Sequence, residues 1–299
     1  MSDTMLAAIV ARLSPEPGEE ERRIARILLL DWLACLAGAR THEAGALGGA
    51  ISSAAWEKAT YPGNALGLSD RHPASGISPG PFIWPAAISL PSAGMQQRLD
   101  AAIRGYEASI AIAALFDGRD TGSWNVSAAA GMFGTAAAFG SLIGFAGIEY
   151  RNALGNVAAV AGLLAPARTR DVLTEQWQTY HAVRTGRDAA LHVHYGATGS
   201  DTLLDGEFGL IAAMSGSEEA LPETISDWAI AGVGVLPVMA LQDAENLADR
   251  PDAASVSDKV RHLTKFGELP DEEADKAIGL ALESDDVAAL DNLLQRWLS

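Results

Sequence analysis

The sequence predicts an all-α protein, and three observations predict it. Alanine is the commonest of the 299 residues, with 56 copies, and alanine favours helix over strand. β-branched runs with period-two alternation are nearly absent. Apolar residues instead recur at helical spacing along most of the chain. Met5 to Leu13 reads as a short amphipathic helix stopped by Pro15 and Pro17. Glu19 to Ala39 reads as a longer helix, with acidic residues at the positive end of its dipole. Its second half is apolar nearly all round apart from Asp31, which predicts deep burial. Glu43 to Lys58 is the third helix. A loop rich in Gly and Pro follows, Tyr61 to Gly80. Further helices are predicted at Phe82 to Ser92, Leu99 to Phe116, Ser127 to Phe145 and Ile148 to Leu164.

The remainder is less regular. Ala165 to Thr179 reads as a loop and His181 to Tyr195 as a helix ended by Gly196. Leu204 to Met214 is ambiguous. Ile225 to Met239, with Ile230, Val233, Val235 and Val238, carries the strand-like signal of the chain. Asn246 to Ala254 is a polar connection, and Val256 to Leu298 reads as two or three amphipathic helices.

Hydrophobic residues make up 48% and charged residues 20%, which excludes a disordered chain. The net charge of −17 repels phosphate backbones and anionic lipid, so neither nucleic acid nor a membrane surface is an expected partner. Val126 to Ile148 holds no charge over 23 residues, but it is mostly Ala, Gly and Ser and gains little in lipid. It reads as an internal helix. The single cysteine, Cys35, makes no internal disulfide, and Met1 to Ala11 carries no basic leader, so a cytoplasmic location is expected.

Phosphate-loop, zincin and paired-cysteine motifs are missing. Gly232 and Gly234 begin a Gly-x-Gly, but no third glycine follows. His192 and His194 share a face only on a strand. On a helix they lie about 200° apart, so no metal site is expected, and no cofactor either. His181, Arg184, Asp188 and His192 are spaced 3, 4 and 4 apart and form one helical stripe. Such a stripe is either a solvated face or a grip for an anionic substrate, with Arg184 holding a carboxylate and a histidine moving a proton. The 61–80 loop adds Ser69, Asp70, Arg71, His72, Ser75 and Ser78, and long loops of this kind often line sites. Trp124-Asn125-Val126-Ser127 stands just before the uncharged helix, where Asn125 or Ser127 caps it or its free N–H groups attract an anion.

Seven segments, in order, resemble one family. They are ARILLLDWLACLAGAR (Ala25 to Arg40), GISPGPFIWPAAISL (Gly76 to Leu90), GYEASIAIA (Gly105 to Ala113), SWNVSAAAGMFGTAAAFGSLIGF (Ser123 to Phe145), RNALGNVAAVAGLL (Arg151 to Leu164), RTGRDAAL (Arg184 to Leu191) and LLDGEFGL (Leu203 to Leu210). The family is MmgE/PrpD, of 2-methylcitrate dehydratase-like and cis-aconitate decarboxylase-like enzymes. The resemblance implies a large helical domain, a smaller α/β lid and a site between them. It divides this chain into a helical domain, 1–222 plus 250–299, and a lid remnant, 223–249. It also implies a homodimer.

By the same resemblance the catalytic positions have changed. Of the family's acidic loop only Asp70 survives. Ser78 and Asn125 replace two histidines, His181 stands for an active-site lysine, and Arg184 for the histidine after it. A lid histidine falls near Asp243. Because polar residues still fill these positions, the expectation is a rebuilt pocket. His181, with Asp70 and His72, is expected to carry proton transfer. Arg184, Asn125, Trp124, Ser78 and His192 are expected to bind a small carboxylate or carbonyl substrate. The reaction class implied is a lyase or isomerase, a cyclisation included. The rival is a catalytically silent binding or partner subunit.

Overall fold

A computed structural model describes residues 4–117, 120–165, 173–215, 227–236 and 252–299. Among the described residues there are thirteen α-helices: α1 Met5–Leu13, α2 Glu19–Gly38, α3 Glu43–Ile51, α4 Ala55–Lys58, α5 Gly80–Ala87, α6 Met95–Ala114, α7 Val126–Leu142, α8 Gly147–Ala158, α9 Thr174–His194, α10 Leu210–Ser215, α11 Ala253–Phe266, α12 Asp271–Leu282 and α13 Val287–Trp297. The described residues form no strand, only isolated bridges between Arg71 and Gly234 and between Trp124 and Leu164. The fold is all-α. Among the described residues no helix is long and apolar enough to cross a membrane.

Two helices organise the packing. The uncharged helix α7 is almost wholly buried and touches α5, α6, α8 and α9. Its small residues set the spacing. A Cβ on Gly134 would stand 2.7 Å from the Gly105 carbonyl oxygen of α6. On the other side, a Cβ on Gly186 of α9 would stand 2.3 Å from the Met132 carbonyl oxygen. Both contacts need a bare backbone. The second organiser is α2, buried continuously from Ile27 to Gly38 and packed against α5, α6, α11 and α12.

Charged groups fix how the C-terminal helices sit. Arg98 of α6, 1% exposed, holds both carboxylate oxygens of Asp291 on α13, at 2.6 and 2.8 Å. Lys259 of α11 donates to Asp31 of α2 at 2.6 Å and to the Leu68 carbonyl, both out of water. Burial works against the Lys259 charge, but the Asp31 carboxylate outweighs it and raises the pKa. Cys35 lies in the same core, where burial pushes its thiol up to about 12.

Several expected elements differ. The third helix breaks in two at residues 52–54. Ser52 leaves helical geometry there, and its hydroxyl accepts from the Ala54 N–H and donates to Glu57. α9 begins at Thr174, inside the predicted loop, because Gln176 and Gln178 are buried rather than solvated. The strand-like segment is instead a 3-10 turn, Ala229–Gly232, followed by the Gly234 bridge. Its apolar residues Ile230, Val233 and Val235 are buried in the core, with the turn packed against α2 and α6. Burial, not sheet pairing, explains the pattern. Of the span 223–249, residues 227–236 are described; Asp243 lies outside the described residues.

Candidate active site

The 61–80 loop is shaped by its own backbone. Gly76 takes φ +68°, which lets its N–H donate back to the His72 carbonyl at 2.8 Å, while the His72 N–H donates to Ile77 at 2.9 Å. Arg71 exchanges two backbone bonds with Gly234, at 2.9 and 2.8 Å. The segment is extended there, so neighbouring side chains face opposite ways.

Asp70 turns inward and is 2% exposed. Its Oδ1 accepts from the Gly80 N–H at 3.0 Å, and its Oδ2 from the Tyr106 hydroxyl at 2.5 Å. The Asp70 N–H in turn donates to Asp31. Burial, and then the nearby Asp31 charge, push Asp70 up to about 7, with the bonds from Tyr106 and Gly80 pulling partly back. Asp70 therefore pins the loop to α5 and α6.

Arg71 turns outward into a cleft of about 200 Å³, lined with Asn64, Ser78, Phe82, Asn125, Ser127, Glu175 and Thr179. Three parts of the chain meet here: the loop, the start of α7 and the first turns of α9. Asn125 caps α7, its Oδ1 accepting from the Ala128 N–H at 3.1 Å, while its amide donates to Gln178 at 2.7 Å. Gln178 donates on to the Leu164 carbonyl at 2.6 Å. Across the mouth, Asn64 donates to Glu175 at 3.1 Å. The described residues of the cleft thus offer one guanidinium, several hydroxyls and one carboxylate within a small space. That set can hold an anion and accept a proton.

The structure brings together some of the sequence-predicted residues and separates others. Ser78 and Asn125 line the cleft. Asp70 lies behind it, in the core. Trp124 packs beside Gly162 and bridges Leu164, supporting the segment that Asn125 joins. His72 is half-buried, with Nδ1 2.8 Å from the Ser75 hydroxyl and its ring against Gly232; burial pushes its pKa down. His181 stacks on Trp177 at 5.4 Å and is not among the residues lining the cleft. Arg184 accompanies it, bound to the Tyr180 hydroxyl at 2.8 Å and 3.5 Å from Glu57. His192 is exposed in the last turn of α9. The His181–Arg184–His192 stripe follows the outer side of α9.

Among the described residues lining the cleft, Arg71 and Glu175 are the two charged ones. Arg71 stood within the loop already singled out, but no local pattern sets it apart. Glu175 is hidden by the polar look of its segment. Gly76–Gly80 also spells Gly-x-Ser-x-Gly, the letters of a hydrolase nucleophile elbow. That motif needs a strand before the serine and a histidine upon it. Here a loop precedes, and among the described residues no histidine is hydrogen-bonded to Ser78. Nor does any group of three or more His, Cys, Asp or Glu among the described residues stand ready to hold a metal ion. A larger cavity, about 400 Å³, lies between α2, α3 and Trp297–Ser299. Among the described residues lining it, the charged side chains, Arg40 and Lys58, are both cations.

No curated protein matches the chain. The family model of the MmgE/PrpD N-terminal domain matches residues 50–222, more than half of the chain and nearly all of the cleft-forming elements. The chain belongs to the MmgE/PrpD family.

Proposed function

We propose that the chain is a divergent MmgE/PrpD-type lyase or isomerase acting on a small carboxylate or carbonyl substrate by proton transfer, with no metal or nucleotide cofactor. A single observation carries this reading: Arg71 and Glu175 share one cleft with Ser78 and Asn125, the two positions where the family resemblance places histidines. Arg71 anchors the substrate carboxylate through a forked pair of N–H bonds. Glu175 takes a proton from the carbon beside it, and the hydroxyls of Ser78 and Ser127 donate to the charge that develops. Elimination, epimerisation or ring closure then follows from the carbanion. His181, on the outer side of α9, offers a second base, and the two are separable by mutation.

Proton abstraction beside a carboxylate is visible without knowing the substrate. A panel of small carboxylates incubated with the protein in D₂O should show deuterium uptake at that carbon by proton NMR. Glu175→Gln should slow uptake by about 10²–10⁴-fold, the usual contribution of a general base, while His181→Ala leaves it unchanged. The reverse pattern would move the chemistry to the His181 face.

One observation favours the silent-subunit reading. Both ends of the Asn125 amide are already bonded, to Ala128 and Gln178, so it offers substrate little where a histidine would act. Binding of panel members without any deuterium uptake would select that reading.

A further inference from the structure

We propose that the cleft takes an amino-acid-type zwitterion, its carboxylate against Arg71 and its ammonium against Glu175, in preference to a di- or tricarboxylate. The inference rests on the reading of this cleft as the substrate site, with one Glu175 oxygen taking the ammonium and the other facing the neighbouring C–H that it deprotonates. Arg71 and Glu175 line the same small space, yet they form no ion pair with each other. The main chain of Arg71 is fixed by its exchange with Gly234, and the Glu175 carboxylate accepts from the Asn64 amide at the start of α9. Two opposite charges kept apart in one cleft leave a gap that a ligand with both charges fills. A carboxylate alone satisfies the guanidinium and leaves Glu175 facing it.

A second carboxylate on the ligand is worse placed. Among the described residues Arg71 is the one cation lining the cleft, so a second anionic group would meet Glu175. The whole molecule adds to this, since a net charge of −17 repels polyanions at long range but not a neutral zwitterion. Ser78 and Ser127 supply donors beside the carboxylate, and Phe82 gives the carbon chain an apolar wall.

The test is ligand-observed NMR titration of the full chain with four probes: L-alanine, 4-aminobutyrate, propionate and succinate. At least one of the two zwitterions should bind tenfold or more tighter than either propionate or succinate. Glu175→Gln should remove that preference while propionate binding stays. Arg71→Gln should weaken all four. Both side chains lie at the surface of the cleft, and circular dichroism checks that the variants stay folded. If propionate or succinate binds as well as both zwitterions, or if Glu175→Gln keeps the preference, the zwitterion is wrong and the small-carboxylate site stands. If none of the four binds, both readings fall.

Discussion

Asp70→Asn should flatten the dependence of stability on pH. Asp70 is buried with Asp31 and Lys259, and the single ammonium there already faces Asp31, so the core holds two carboxylates for one cation. Burial pushes both carboxylates up, and Asp70 reaches a folded-state pKa of about 7 against an ordinary 3.8. The sign follows from that upward shift. The folded state binds the proton more tightly than the unfolded chain, so the stability it contributes is present at low pH. It is lost as pH rises toward 7 and then levels off. The full window of about three units corresponds to about 4 kcal/mol at 1.36 kcal/mol per unit. Of this, about 3 kcal/mol falls between pH 5 and pH 8. Asparagine keeps the shape and still accepts from the Gly80 N–H, but it has no proton to lose. Urea unfolding of both proteins at pH 5, 6, 7 and 8 measures the difference. The wild-type protein should weaken relative to Asp70→Asn by about 3 kcal/mol across that range. Parallel curves would refute the argument, because they would mean that Asp70 does not change its charge between pH 5 and pH 8.

Three further outcomes are expected. Lys259→Met leaves the Asp31 carboxylate buried without its cation and should cost about 3–5 kcal/mol in urea unfolding; adding Asp31→Asn should recover much of the loss. Gly186→Ala should cost about 1–3 kcal/mol, although alanine is the better helix former, because its Cβ has only 2.3 Å to the Met132 carbonyl oxygen. A stability gain would show that the α7–α9 spacing is slack. We expect a homodimer, because Ile148, Leu164 and Trp177 leave large apolar side chains more than half exposed on and beside α8 and α9; light scattering giving 31.2 kDa at micromolar concentration would rule it out.

Helices with local signals were legible, and those with remote partners were less so. α1 runs as read, Met5–Leu13, because Pro15 and Pro17 punctuate it. α2 follows its acidic first turn and apolar second half. The beginning of α9 was not legible. Glu175, Gln176 and Gln178 look like loop residues, and only the positions of Asn125 and Leu164 in space give the Gln178 amide its partners. The site divides in the same way. Ser78 and Asn125 stand at motif positions, and both line the cleft. Asp70 stands in an equally good motif but faces the core, because its carboxylate accepts from the Tyr106 hydroxyl, 36 residues away. No nearby pattern reports a contact at that distance. The register of α9 grouped His181, Arg184 and His192 correctly on one stripe but could not say which way the stripe looks.

The tie between Asp31 and Lys259 spans 228 residues. It has a consequence for synthesis on the ribosome. At about 5–20 residues per second, some 10–45 s pass between the emergence of α2 and that of α11. Through that interval the apolar side of α2 that ends up under α11 and α12 has no native cover, and the Asp31 carboxylate has no cation. The segment matched by the family model, 50–222, ends 37 residues before Lys259 and so is complete about 2–7 s earlier. The nascent chain must therefore hold an unfinished apolar helix beside a nearly finished bundle, which is the kind of surface that chaperones recognise. Substitutions in α11 should lower the yield of folded protein in cells more than their effect on equilibrium stability suggests.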